Sequence, residues 1–252
     1  VISVEHRDNK LNLLDTPGYT EFIGEMISAL RIADSALVLV DAVSGFEVGT
    51  EIAWQYCDKF NLPRCLLINK MDRENANFRK ALDSVAAFSS IRLIPVQLPW
   101  GEKQDFKGVI NLLTMKAQKG DGKTITDIPA EMKDEAESAY MELVEAAAEG
   151  EDSLLEKYLE TGELTPEEIQ RGLHAAVASG SFVPVFVSAA SAEIGIQPLL
   201  DAMIDLMPSP KEVTPQNATG PGGEETLDQF DTGPMAAYVW KTTADPFVSK
   251  QT

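Results

Sequence analysis

Cysteine is nearly absent from this chain, which has two, Cys57 and Cys65. They fall in segments patterned as a helix and a buried strand, and with no second pair they exclude a disulfide framework and a thiolate metal site. Basic residues are also scarce. The 21 Lys and Arg against 40 Asp and Glu leave a formal net charge of −19 and a pI near 4.4. A broad grip on nucleic acid needs cations that displace counterions from phosphates, so DNA is excluded as a partner and any RNA contact must be local. No apolar run approaches the ~18 residues of a membrane helix, and no basic-then-apolar leader opens the chain. No membrane association is expected, and the reducing cytoplasm suits unpaired thiols. The sequence starts at Val1, without Met and directly in strand-like residues, as a segment cut from a longer chain would. What it does have is 252 residues at 44% hydrophobic content, enough to bury a full core in one large domain or two smaller ones.

The organising stretch is Leu66-Leu67-Ile68-Asn69-Lys70-Met71-Asp72. An apolar run of strand length delivers Asn69, Lys70 and Asp72 to the end of a buried parallel strand, where open α/β sheets place their ligands. A guanine ring presents two neighbouring donors, and one carboxylate accepts both at once. Adenine has no such pair, so Asp72 would be left unpaired against it. Asn69 would tie neighbouring loops together, and Lys70 would lay its methylene stem along the ring face. The same residues also suit an ordinary polar turn after a strand.

Upstream, Val1 to Glu5 and Lys10 to Leu14 flank the polar turn His6-Arg7-Asp8-Asn9, which predicts an antiparallel hairpin. Asp15-Thr16-Pro17-Gly18 follows at once. An acidic residue at a strand end holds magnesium through water, and a glycine lets a backbone N–H approach a terminal phosphate; a plain Pro-Gly turn between strand and helix is the alternative. Apolar spacing then predicts a helix over 20–32, a strand over 36–40, a helix over 48–59, a strand over 65–68, a helix over 78–88 and a strand over 92–98. This βαβ alternation implies a mostly parallel sheet covered on both faces. From Leu98 to Gly180 acidic residues outnumber basic ones by more than two to one. Strand patterning over 108–115 and helices over 129–148, 153–159 and 166–178 mark an inserted subdomain, whose acidity is either functional or a solvated helical face. Val183 to Val187 restores a buried strand ending in Ser188-Ala189-Ala190, small residues that let backbone N–H groups approach a ligand. A helix over 196–207, a Pro/Gly/Thr-rich linker over 208–223 and strand-like residues over 233–242 complete the chain.

Asp15-Thr16-Pro17-Gly18, Asn69-Lys70-Met71-Asp72 and Ser188-Ala189-Ala190, in this order and each after a strand, resemble the nucleotide motifs of the translational GTPases. The helical insertion, with Asn111 to Ala117 near its start, is similar to the elongation factor G branch, and Ala237 to Lys250 resembles the opening strand of that branch's barrel domain. The resemblance implies a P-loop-NTPase-type α/β fold: a GTP-binding domain over 1–97 and 181–207, an inserted α+β subdomain over 98–180, a linker over 208–232 and the first strand of a β-barrel domain over 233–252. It implies GTP or GDP with Mg2+ as ligands, Asp15 holding the metal through water and Gly18 sensing the γ-phosphate. Asn69, Lys70 and Asp72 would read guanine, with Ser188, Ala189 and Ala190 closing over the base. The implied activity is GTP hydrolysis on the ribosome during translocation, by a cytoplasmic monomer that meets the stalk protein and the ribosomal RNA of the GTPase site. Ribosome-protection and recycling relatives share these motifs, and a non-hydrolysing module acting through the acidic insertion is the remaining alternative. Two departures stand out. The Gly-rich loop ending in Gly-Lys-Ser/Thr and the following switch threonine have no counterpart and are expected before Val1, along with the central strand that carries the loop. Where the family usually has a water-positioning His, the chain has Tyr19, and a phenol does not take up a proton near neutral pH as an imidazole does.

Overall fold

The computed structural model describes residues 1–213, 215–220, 222–227 and 235–242. The chain begins with a hairpin, β1 (Ile2–His6) against β2 (Asn9–Leu13), paired from Ile2↔Leu13 to His6↔Asn9. The turn is tighter than the four residues expected: Arg7 and Asp8 alone form it, at φ +48° and +58°. Two left-handed residues match the right-handed twist of the strands they join.

A helix over 20–32 was expected; the first turn is 3-10, Thr20–Phe22, and α1 proper runs Ile23–Leu30. Next come β3 (Ala36–Asp41), α2 (Val48–Lys59), β4 (Arg64–Asn69), α3 (Phe78–Ala86) and β5 (Arg92–Pro95). The strand expected over 92–98 is broken at Val96. This residue donates to Val185 in the main sheet and accepts from Leu112 in another layer, so the chain changes sheets there. It continues as β6 (Gln97–Trp100), β7 (Gly108–Asn111), β8 (Lys116–Lys119) and β9 (Ile125–Thr126), an antiparallel sheet in that order. The strand expected over 108–115 stops early because the Asn111 carboxamide accepts from the N–H groups of Leu113 and Thr114 and turns the chain.

Three helices follow, α4 (Lys133–Glu149), α5 (Asp152–Thr161) and α6 (Pro166–Ser179), then β10 (Phe182–Val187) and α7 (Ile196–Leu206). Thr165 opens α6 with a reciprocal cap: its hydroxyl accepts from the Glu168 N–H while the Glu168 carboxylate accepts from the Thr165 N–H. The main sheet is parallel in the order β3-β4-β10-β5. All six residues of β10 and five of six in β4 are buried, as central strands covered on both faces must be. β3 and β5 are the edge strands of this sheet, Leu39 of β3 being 57% exposed, and β1–β2 forms a separate two-stranded sheet.

The hydrophobic core is continuous from Leu66 and Ile68 in β4 through Phe182 and Val185 in β10 to Leu143 of α4 and Leu173 of α6. Helices α4 and α6 approach closely because their contact has no side chain in the way. A Cβ on Gly172 would stand 2.1 Å from the Ala147 carbonyl oxygen. Gly172→Ala is therefore expected to force the helices apart and lower unfolding free energy by about 2–3 kcal/mol, as overpacking of a tight core does. Denaturant midpoints measure it, and an unchanged midpoint would show that the crossing yields without cost.

Where a linker was expected over 208–223, β11 (Gln216–Gly220) and β12 (Gly223–Leu227) pair as a second hairpin. Residues 235–242 carry no regular secondary structure. Thr243 to Lys250, which carried much of the resemblance to a barrel strand, lie outside the described residues.

Candidate nucleotide-binding site

Strands β3, β4 and β10 are parallel, so their ends, Asp41, Asn69 and Val187, lie on one edge of the sheet. The register of β4 against β10, Val185↔Leu66 to Val187↔Ile68, brings their following loops side by side. The Asn69 side chain joins the loops. Its Oδ1 accepts from the Lys70 N–H at 2.7 Å, the Ser188 hydroxyl at 2.9 Å and the Ala190 N–H at 3.0 Å. Backbone bonds repeat the connection, with Met71 N–H donating to the Ser188 carbonyl at 3.1 Å and Ser188 N–H to the Ile68 carbonyl at 3.0 Å. Met71 is fully buried between them and pins the loop from beneath. Ser188 and Ala189 are buried, while Ala190 is exposed. Past them the chain turns at Gly195 with φ +84°, where a Cβ would stand 2.5 Å from the Val187 carbonyl oxygen. Only glycine closes this loop without strain.

Lys70 has φ +65°, a conformation that costs a side-chain-bearing residue about 1–2 kcal/mol. Such a residue persists where its surroundings hold it. Here Asn69 takes the Lys70 N–H, and Asp41 Oδ2 accepts from the ammonium at 2.7 Å. Asp41 is 14% exposed, its Oδ1 accepts from the Val43 N–H at 2.9 Å, and Arg73 Nη1 stands 3.5 Å from Oδ2. Burial works against ionising Asp41, but the hydrogen bonds from Lys70 and Val43 and the charges of Lys70 and Arg73 outweigh it and hold the carboxyl below its ordinary value. Sequence reasoning placed Asp41 only in a loop. The available signal was that it ends a strand run in the same phase as Asn69, its ladder partner. Asp72 is exposed and makes no hydrogen bond or ion pair among the described residues.

The structure thus brings together Asn69, Lys70, Ser188, Ala189 and Ala190, with Asp72 at their rim. The Asp15-Thr16-Pro17-Gly18 turn follows β2 and stands apart, joined to that group by no hydrogen bond among the described residues. Asp15, Pro17 and Gly18 are exposed, as is Tyr19 at 75%. Asp15 and Thr16 line a cleft of about 410 Å³ with Glu25, Trp240 and Lys241. No group of three His, Cys, Asp or Glu side chains among the described residues is placed to enclose a metal, so Asp15 would offer a single carboxylate to an ion otherwise held by water and phosphate. One Gly-Lys-Thr does occur, at Gly122-Lys123-Thr124. It tips the β8–β9 hairpin, where Asp121 accepts from the Lys123 and Thr124 N–H groups, and it opens no helix. It is not a phosphate cradle.

The family model described as the elongation factor Tu GTP binding domain matches residues 1–209. The chain belongs to this family. Its relatives include elongation factor G of Thermotoga maritima and of Thermotoga sp. strain RQ2, each 40% identical over 248 residues, and that of Thermotoga petrophila at 39%. Each match takes in 96% of this chain and 36% of the relative, so the chain spans little more than a third of their length. A crystal structure of a Thermus thermophilus protein superposes with a TM-score of 0.78 at 29% identity, covering 89% of this chain and 39% of the other. The α/β fold is accordingly of the P-loop GTPase type, and the chain is related to the translational elongation factors. On the base side the site offers one exposed carboxylate without an internal partner among the described residues, while the N–H groups of Ser188, Ala189 and Ala190, expected to approach a ligand, instead donate to Ile68, Ile194 and Asn69 and so hold the loop in shape.

Proposed function

We propose that this chain is the guanine-reading part of a GTP hydrolase of the elongation factor G type, which turns over GTP on the ribosome during translocation. The observation that carries this reading is the division of labour between two polar residues of one loop. Asn69 spends its acceptor on Lys70, Ser188 and Ala190, and Asp72 spends none of its own. In this reading Asp72 accepts the ring N–H and the exocyclic amine, the Lys70 stem lies along the ring, and Ser188, Ala189 and Ala190 close over it. On the phosphate side Asp15 holds Mg2+ through water, Thr16 and Pro17 shape the turn, and Gly18 offers its N–H to the γ-phosphate. The partners proposed are the ribosome, with its stalk protein meeting the acidic insertion and ribosomal RNA near the GTPase site, in the cytoplasm and as a monomer. Ribosome-stimulated hydrolysis by a full-length protein carrying this chain tests the reading; turnover indifferent to ribosomes would reject it.

Tyr19 favours a second reading, a relative that engages the ribosome with little or no hydrolysis. Nothing among the described residues holds its ring, which stands free beside the phosphate turn. Tyr19→His is expected to leave nucleotide affinity within about twofold and to raise ribosome-stimulated turnover at least ~10-fold, since the residue would act on the attacking water and not on ground-state binding. Single-turnover rates with and without ribosomes decide it, equal rates for both variants placing Tyr19 away from the water.

The 252-residue chain on its own is expected to bind GTP only in the high-micromolar range or weaker. Its base contacts face a ligand whose charge lies mostly in the triphosphate; no described helix N-terminus cradles those phosphates, and Lys241, in the cleft beside Asp15, is paired with Glu25. A micromolar site needs about −8 kcal/mol. Calorimetric titration with GTP and magnesium measures the affinity, and sub-micromolar binding would mean that other groups hold the phosphates.

A further inference from the structure

Two cations flank Asp72 in sequence, Lys70 and Arg73, and neither pairs with it. Both turn to Asp41: the Lys70 ammonium sits 2.7 Å and the Arg73 guanidinium 3.5 Å from the same oxygen, Oδ2. Their alternative partner is near at hand. Met71 is fully buried, whereas the Lys70 side chain is 43% exposed and Asp72 is exposed, so both charged groups reach solvent in the same short loop. An exposed carboxylate with two cations this close in sequence is open to weak ion pairing with either, and a better acceptor removes that competition. Asp41 is that acceptor. It belongs to another strand, it is largely buried, and its second oxygen is fixed by the Val43 N–H, so it does not follow the cations outward.

We infer that Asp41 is a specificity-determining positioning residue, which draws Lys70 and Arg73 away from Asp72 and so keeps both of that carboxylate's oxygens open for the paired donors of a guanine base. This rests on the guanine reading of Asp72. Asp41 itself touches no part of the base in this account. Its effect is to remove an internal competitor, and that competitor acts most against ligands that need both oxygens. Inosine nucleotides keep the ring N–H but lack the exocyclic amine, so they need only one.

The test is the ratio of GDP to IDP affinity in a full-length protein carrying this chain, measured by fluorescence competition. Asp41→Asn keeps an oxygen for the Val43 N–H and removes the charge. It is expected to lower the GDP-to-IDP ratio about three- to fivefold, the range over which an exposed ion pair competes. The lost preference should return as salt is raised, because the new pairs on Asp72 are screened, and Asp41→Glu should retain most of the wild-type ratio. A ratio reports only on molecules that bind, so partial misfolding of the variant does not disturb it. Equal loss of GDP and IDP affinity, or a ratio unmoved by D41N, would overturn the inference while leaving the base reading intact. Failure of Asp72→Asn to shift the same protein from GDP toward XDP would overturn the base reading itself.

Discussion

Asp72→Asn is expected to reverse the base preference of the full-length protein, weakening GTP by about 10² and strengthening XTP by a comparable factor. The substitution is nearly isosteric and sits on an exposed side chain without internal partners among the described residues, so folding should be indifferent to it. What changes is chemical. A carboxylate presents two acceptors to the two adjacent donors of guanine, whereas a carboxamide presents one acceptor and one donor. The donor then meets the exocyclic amine of guanine but the carbonyl of xanthine. Sites built to pair a ligand's polar groups reject mismatched analogues by roughly 10⁴–10⁵, which bounds the combined swing. Competition binding with both triphosphates measures it. A variant that still prefers GTP would show that the base is read elsewhere.

Asn69→Ala should cost more in structure than in specificity. One oxygen serves the Lys70 N–H, the Ser188 hydroxyl and the Ala190 N–H, so truncation strands three donors. A donor left without a partner in a buried setting costs about 1–3 kcal/mol, but Ala190 and part of Lys70 reach water, so the expected total is about 2–4 kcal/mol of stability. The two loops lose their common fastening, and guanine-nucleotide affinity should fall at least ~100-fold with little change in the ratio of GTP to XTP. Asn69→Asp separates the causes, because it retains the acceptor and should recover most of the stability. Denaturant unfolding and nucleotide titration on the same three proteins provide the measurements; an N69A variant as stable as wild type would refute the fastening role.

The parts of the fold legible in sequence were those where one force dominated. Helix α2 lies over Val48–Lys59 as the spacing required, and β4 and β10 were evident because a strand buried on both faces is apolar throughout. The sheet change at Val96 was missed although Pro95, which cannot donate to a ladder, stands just before it; the residues on either side are strand-like, and the competing bonds of Val185 and Leu112 divide them. Strands β8 and β9 escaped notice for a different reason: Lys116-Ala117-Gln118-Lys119 shows one buried side chain, and its order comes from pairing with β7. At the site, Asn69, Ser188 and Ala190 were recognisable as motif residues on neighbouring loops. Asp41 was not, because its role depends on where the side chains of Lys70 and Arg73 turn, and no linear pattern records that choice.

The opening hairpin has a mechanical consequence. Its tip is fastened to the last long helix: His6 stands 2.8 Å from Asp201, and both terminal nitrogens of Arg7 donate to Asp205 at 2.9 Å. The hairpin runs from that fastening into Asp15, and α7 leads from it back through Gly195 to Ser188, so the two ends of the proposed nucleotide site are joined through one contact at Arg7. A tilt of β2 that reached Arg7 would either carry α7 with it or break the clasp. The clasp is exposed and ionic, which makes it soft and sensitive to salt. Any leverage of one end of the proposed nucleotide site on the other through this clasp would be set at a surface contact, where sequence change touches neither of the proposed ligand groups.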